Sequence, residues 1–386
     1  MTQPTGPDEY SGKMTATDSA AVSTSPDRAP ASGTPSYLGI RARRASAEHR
    51  ELDRRAVRYA LRRAYHGFFL HRGLDSGAAL TFFSALSLFP ATLALVSIVA
   101  LLDPQGDTVR VILTVIDTVL PKSARGSTRL ALDQFTHIPN PVVALLIGLS
   151  LTVWAGAGYA TAFGRAVNAV YEVQEGRRFV KLRLLMLVES LALIVLIFVL
   201  GVIVVVTPDV ARTVAQTLGW PIVAVDVWSV AKWPLLALLS IFTVVVLYYG
   251  TPNLKRPRAR WLSLGATFAI AGLAVMTLGY SIYVGGFASY DRFYGLLGGA
   301  IITLIWLFLS NLVLVGGAEV DAELTRARQL LGGIAAEEAI LIPPRDTRRS
   351  VVLARWLERD LREGRAIRAR AEELRRQSAL PQGRPE

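Results

Sequence analysis

The sequence predicts an all-α, polytopic membrane protein with six transmembrane helices and both ends in the cytoplasm. Three observations carry this expectation. Mean hydropathy is +0.39 over 386 residues although both ends are polar, so the middle is far more apolar than a water-soluble core requires. Six apolar stretches reach the roughly 20 residues that a helix needs to cross a hydrocarbon core of about 30 Å. Of the 42 Lys and Arg residues, 35 fall in alternate connections and 7 in the others.

Residues 1–36 are rich in Ser, Thr, Pro, Ala and Gly and hold no apolar run. They cannot bury enough surface to offset ordering entropy, so disorder is expected. They also lack the basic start and apolar centre of a signal peptide. A basic segment follows over 37–76, with arginines recurring from Arg41 to Arg63. Leu52, Ala56, Tyr59 and Arg63 recur at helical spacing, as do Val57, Ala60 and Ala64. The pattern fits a basic amphipathic helix lying on the inner leaflet, its Arg-rich 41–63 stretch against anionic lipid, or else a solvated helix.

The six-span domain is placed at 77–321. Gly77–Leu102 is the first span and contains Pro90. Pro141–Tyr159 is short and can continue to Ala162, whereas Leu184–Val206 is almost entirely Leu, Val and Ile. Trp228–Gly250 qualifies if Lys232 snorkels to the rim. Leu262–Gly285 and Gly295–Ala318 complete the set. Residues 103–140 are too polar to span. Within them Val111, Val115, Thr118 and Val119 mark one surface helix, and Leu130, Leu132 and Phe135 another. Residues 207–227 are marginal. The tail, 322–386, is charged and helical in pattern, interrupted at Pro343–Pro344, and reads as a solvated mixed-charge helix over 355–376.

Positive charge resists translocation, so cytoplasmic loops collect Lys and Arg. Five or seven spans would put a basic loop on the wrong side. Hence the expectation is an inner (plasma) membrane protein with N-in/C-in topology. The net charge of +12 is then an orientation signal, and no nucleic acid is expected as a partner. The chain has no cysteine, which excludes disulfides, thiolate nucleophiles and Cys-ligated metals. Four histidines, His49, His66, His71 and His137, leave little for a His-based metal site. Phosphate-cradling loops, nucleophile elbows and His-Glu-x-x-His motifs are missing too, so no enzyme, catalytic residue, metal or cofactor is expected.

Several segments resemble one family. Gly73–Pro90 (GLDSGAALTFFSALSLFP) is similar to the aromatic-then-Ser-Leu-Phe-Pro signature of the YihY/BrkB membrane proteins, formerly misassigned as ribonuclease BN. Trp154 and the stretch FGRAVNAVYEV to Val173 resemble its Trp-then-Ala-x-Asn-x-x-Tyr element. Tyr249, Pro252 and Asn253 resemble its Tyr/Pro/Asn element. Tyr294–Gly295, Trp306 and Gly317-Ala318-Glu319 resemble its last span. Asp321 departs from the Asn often found there. The resemblance covers about residues 55–325 and implies a polytopic inner-membrane protein, discussed in the family as a transporter or an envelope-integrity factor.

Ionisable groups inside a bilayer cost several kcal/mol unless paired, hydrated or neutralised. Asp75 reads as a rim contact or as a polar group opening a cavity, with Ser84, Ser87 and Pro90 extending a polar, kinkable track above it. Glu189 reads as a snorkelling rim residue or as one facing the bundle. Glu319 and Asp321 stand at the end of the last span, where Glu319 and Glu323 share a face and repel. Arg165 and the 255–260 loop are their candidate partners. Asn168, Asn253 and Asn311 are candidates for hydrogen bonds between helices.

Close helix contacts are expected at Gly156, Ala160 and Gly164, at Gly295 and Gly299, and down the seam Gly265, Gly272 and Gly279. The leading functional expectation is a transporter or flippase-like protein for an amphipathic or lipidic substrate. The alternative is a non-transporting envelope scaffold with cytoplasmic partners. A homo-oligomer and the membrane lipids are the other partners considered.

Overall fold

The computed structural model describes residues 52–102, 140–208, 210–212, 215, 221, 223–255, 264–286 and 296–379. The start expected to be disordered, the surface helices expected within 103–140, the basic residues 256–260, Tyr294 and Gly295 lie outside the described residues. Among the described residues eight long helices make up the fold: α1 (Arg54–Leu70), α2 (Gly73–Leu102), α3 (Pro141–Val170), α4 (Phe179–Val205), α5 (Val223–Gly250), α6 (Leu264–Gly286), α7 (Leu296–Leu331) and α8 (Arg348–Ala379). Helices α2 to α7 are the six that are long and apolar enough to cross a membrane. Their outward residues, such as Ile197, Leu238, Val275 and Ile282, are exposed apolar side chains that only acyl chains can cover without penalty.

Several helices start or end at positions other than those hydropathy places, and three differences bear on the packing. Helix α3 runs to Val170, well past Ala162. The cause is composition: residues 155–170 are mostly Ala and Gly with Asn168 and Arg165, so hydropathy falls while burial rises. Helix α7 continues without a break to Leu331, so no boundary falls at 321. Helix α2 is continuous through Pro90 and is not broken there. A proline costs one backbone hydrogen bond, and the flanking turns keep theirs.

Packing is closest where side chains are smallest. A Cβ on Gly148 of α3 would lie 2.8 Å from the Pro90 carbonyl and from the Ala94 nitrogen of α2, so the two backbones nearly touch. Gly265 of α6 faces Gly317 and Asp321 of α7, and Gly272 faces Val313. Gly156 meets Ser190 of α4, Ala160 is fully buried beside Met186, and Gly164 lies against the Thr251 carbonyl. Gly279 and Gly299 have no neighbour within 4 Å of a built Cβ. The main core joins Leu80, Phe163, Val167, Tyr171, Tyr248, Val315 and Ala318 from four of the spans.

One side of α1 packs on protein. Ala60 and Ala64, with Leu52 and Ala56 beside them, pack against Val320, Leu324 and Ala327 on the extension of α7. The other side of α1 still presents Leu61, Tyr65, Phe69 and Leu70 outward among arginines. After α7 the chain turns at Gly333 (φ +71), a left-handed residue that favours glycine. It then runs back across the end of the bundle, where Leu254 bridges Pro344. We call this end the foot.

Candidate functional site

Among the described residues the foot concentrates the buried charge. On α7, Glu319 (1% exposed), Asp321, Glu323 and Arg326 (0% exposed) all point inward. Their partners come from distant parts of the chain. His71, at the joint between α1 and α2, donates from Nδ1 to Glu319 Oε1 at 2.9 Å. Tyr171, just past α3, donates to Asp321 Oδ2 at 2.6 Å. Arg63 of α1 pairs with Glu323 at 3.1 Å. Arg326 pairs with Glu323 at 3.0 Å and with Glu172 at 2.8 Å, and donates to the Ala336 carbonyl at 2.8 Å.

Two buried atoms in this constellation lack a hydrogen bond, and one of them, Arg63 Nε, keeps its ion pair with Glu323. Glu319 Oε2 is buried with no hydrogen-bond partner among the described residues. It lies against Gly67, where a Cβ would stand 2.9 Å from it. A buried carboxylate oxygen without a donor costs about 1–3 kcal/mol or more, so the group is poised to take a proton or a ligand. His71 answers that charge. Its hydrogen bond to Glu319 raises the imidazole pKa above the ordinary value, and the negative charges of Glu319, Glu172 and Glu323 add to this against the effect of burial.

Helix α1 is thus fastened to α7 at three points. Gly67 meets Glu319 and Arg63 meets Glu323, so the two helices run antiparallel, and the Ala60–Ala64 seam lies between α1 and the α7 extension. At its C-terminal end α1 joins α2 through Arg72, a non-glycine residue at φ +57. Such a conformation stores strain of about 1–3 kcal/mol. Along its outer face runs an open groove of about 640 Å³ lined by Leu52, Arg54, Val57, Arg58, Leu61 and Arg62. Arg54, Arg58 and Arg62 follow one another at single-turn spacing beside Val57 and Leu61, a pairing of cations with apolar surface.

A second polar cluster ties the 340–349 segment to the bundle. Asn253 donates its backbone N–H to Asn168 and its amide to the Gln174 and Asp346 carbonyls, and accepts from Asp346 N. Asn168 also donates to Glu175 at 3.1 Å. Arg177 (3% exposed) holds Glu175 by a two-pronged contact at 2.7–2.8 Å and donates to the Thr251 carbonyl. Burial pushes the Glu175 carboxyl up, but the Arg177 bonds outweigh it and leave the pKa below the usual range. Arg345 donates to the Leu254 carbonyl.

The other candidates read from the sequence fall elsewhere. Asp75 is exposed at the start of α2, 3.7 Å from Arg72. Ser84 and Ser87 donate to the carbonyls of Leu80 and Ser84 on their own helix. Pro90 sits at the α2–α3 contact. Glu189 is half-buried against Gly250, and its Oε1 has no hydrogen-bond partner among the described residues. Asn311 joins three helices, accepting from Tyr159 at 3.0 Å and donating to Thr81 at 3.2 Å. The pairing expected for Glu319 and Glu323 is corrected: they take His71, Arg63 and Arg326, while Arg165 is exposed. Sequence reasoning missed His71, Arg63, Arg326, Tyr171 and Arg177 as site residues. The only signal for them was a charge or hydroxyl beside an apolar helix end.

Among the described residues no group of three His, Asp or Glu side chains is arranged to hold a metal ion. A family model described as "Virulence factor BrkB" matches residues 64–339, which takes in the bundle and much of its foot but not the start of α1, residues 340–347 or α8. The chain is 29% identical over 270 residues to a ribonuclease-like protein, YfkH, of Bacillus subtilis, covering 70% of this chain and 96% of the relative. It is 29% identical over 287 residues to a UPF0761 membrane protein of Chromohalobacter salexigens, covering 72% and 67%. A UPF0761 membrane protein of Aliivibrio salmonicida is 26% identical over 262 residues, covering 66% and 80%. No solved structure matches the chain.

Proposed function

The chain belongs to the virulence factor BrkB family of multi-pass membrane proteins, and from that premise we propose that it is a flippase-like transporter of an amphipathic, anionic lipid-type substrate. The observation that carries this reading is the unpartnered, buried Glu319 oxygen beneath α1. A bundle that served only as an anchor would gain nothing from burying Glu319, Asp321, Glu323 and Arg326, because such charges cost more than apolar residues of the same size. Their placement under a helix that is held by ion pairs and joined to α2 through a strained residue describes a latch. Opening α1 exposes Glu319, and the groove beside Arg54, Arg58 and Arg62 offers a headgroup its first contact.

In this reading the basic foot faces the cytoplasm and both ends lie there, in the plasma membrane, since the 35-to-7 distribution of Lys and Arg favours that orientation. The protein acts without covalent chemistry. The histidine and carboxylates of the foot are engaged in ion pairs, and the word ribonuclease belongs to a relative's name.

The test is lipid movement in proteoliposomes carrying a fluorescent phospholipid. Wild-type protein should exchange the lipid between leaflets well above protein-free vesicles. Glu319→Gln should lower the rate about tenfold, the order expected when one buried charge interaction is lost, and Arg58→Gln with Arg62→Gln should lower it by weakening headgroup capture at the exposed groove. A wild-type rate equal to that of empty vesicles, with the protein folded, rejects transport. The second reading, a non-transporting envelope scaffold, draws on the exposed helix α8. It predicts that removing 348–386 abolishes cellular activity while the Glu319 variant keeps it.

A further inference from the structure

Helix α8 lies beyond the family match, and the function of the bundle does not account for it. Every residue from 351 to 376 is exposed. At 1.5 Å per residue the helix is a rod of about 48 Å. Its surface is not that of a helix built for water. Val352, Leu353, Trp356 (57% exposed), Leu357 (59%) and Leu361 stand uncovered within three turns. Steps of 100° per residue place all five on one half of the helix, and Arg355, Glu358, Arg359 and Arg362 on the other. Ile367 and Leu374 continue the apolar side, with Asp360 and Glu363 the carboxylates inside it.

Charge narrows the choice of occupant. Helix α8 carries ten arginines against five acidic residues, a net of +5, and no lysine. Guanidinium groups bind phosphate oxygens through two parallel hydrogen bonds. A second copy of α8 would bring +5 against +5 and would set Asp360 and Gly364 at the middle of the shared seam, which disfavours a paired coil.

The root of α8 fixes where it can reach. Asp346 accepts from Lys181 at 2.9 Å, and Arg349 N donates to the Gly176 carbonyl at 2.8 Å. Lys181 is the third residue of α4, beside Phe179 (70% exposed) and Val180 (67%), where that helix enters the hydrocarbon. The helix therefore starts at headgroup level, and the tether keeps one leaflet at high effective concentration.

We propose that α8 lies on the leaflet surface at the foot of the bundle, binds anionic phospholipid headgroups through its arginines, and lowers the Val352–Trp356–Leu357–Leu361 side into the acyl boundary. This does not depend on the transport reading.

The chain has no cysteine, so single labels report one position each. Leu357→Cys and Glu358→Cys, in the full chain, carry an environment-sensitive fluorophore. The labelled proteins are placed in nanodiscs of phosphatidylcholine with or without phosphatidylglycerol. With phosphatidylglycerol, the label at 357 should move to shorter wavelength and be quenched by acrylamide about tenfold less than the label at 358, and high salt should narrow the gap. Equal quenching at the two positions in phosphatidylglycerol discs overturns the proposal. Protection at 357 that persists in detergent and grows with protein concentration also overturns it, and assigns the face to a second copy of the chain.

Discussion

Arg326 is the residue on which the foot depends most. It is fully buried and holds Glu323, Glu172 and the Ala336 carbonyl together. Arg326→Ala leaves Glu172 without its cation and Glu323 with Arg63 alone, which should cost about 3–5 kcal/mol and appear as a clear fall in melting temperature in detergent. Arg326→Lys should recover little of it, because one ammonium cannot reproduce the fork. His71 gives a pH dependence whose sign follows from its raised pKa. The charged imidazole stabilises the fold fully below the ordinary histidine value of about 6.5, and that contribution fades as pH rises through the raised value. The melting gap between wild type and His71→Gln should therefore be widest at acidic pH and close in alkali; a gap that widens with pH would refute the pairing. Glu319, Asp321, Asn168 and Asn311 were legible as residues needing a partner, since each interrupts an apolar helix. Their partners were not: His71 and Glu319 are 248 positions apart, and no periodicity relates residues across that distance.

At the scale of elements, the decisive contacts are backbone approaches at small residues. Gly148→Leu should force α2 and α3 apart at Pro90 and cost about 1–3 kcal/mol or more, read as a lower yield of folded protein and a lower melting temperature. The tail divides at Thr347, not at 322. Residues 332–347 are laced into the bundle by Asn253, Arg326, Gln329 and Arg345, whereas α8 stands exposed beyond its root. A chain ending at Thr347 should melt as the full chain does. One ending at Gly332 should lose several of these bonds, each worth about 1 kcal/mol, and melt lower. Apolar length placed the six spans, but it placed their ends poorly. Helix α3 leaves the hydrocarbon through an alanine- and glycine-rich stretch that hydropathy undervalues. Helix α7 continues on charged residues because α1 and residues 332–347 cover them.

For the whole molecule, hydropathy made the class plain: six rods with apolar flanks. The foot, by contrast, is assembled from α1, the exits of α3 and α5, the extension of α7 and residues 332–347. That assembly is tertiary, and no local pattern announces it. In the proposed transport cycle α1 must part from α7 for substrate to pass. Because the chain has no native cysteine, Ala60→Cys with Ala327→Cys, both in the α1–α7 seam, allows the latch to be bolted by oxidation. The most direct measurement is phospholipid exchange in proteoliposomes by this variant, oxidised and then reduced. The oxidised protein should be inactive and recover on reduction; full activity in the cross-linked state would rule out a moving latch.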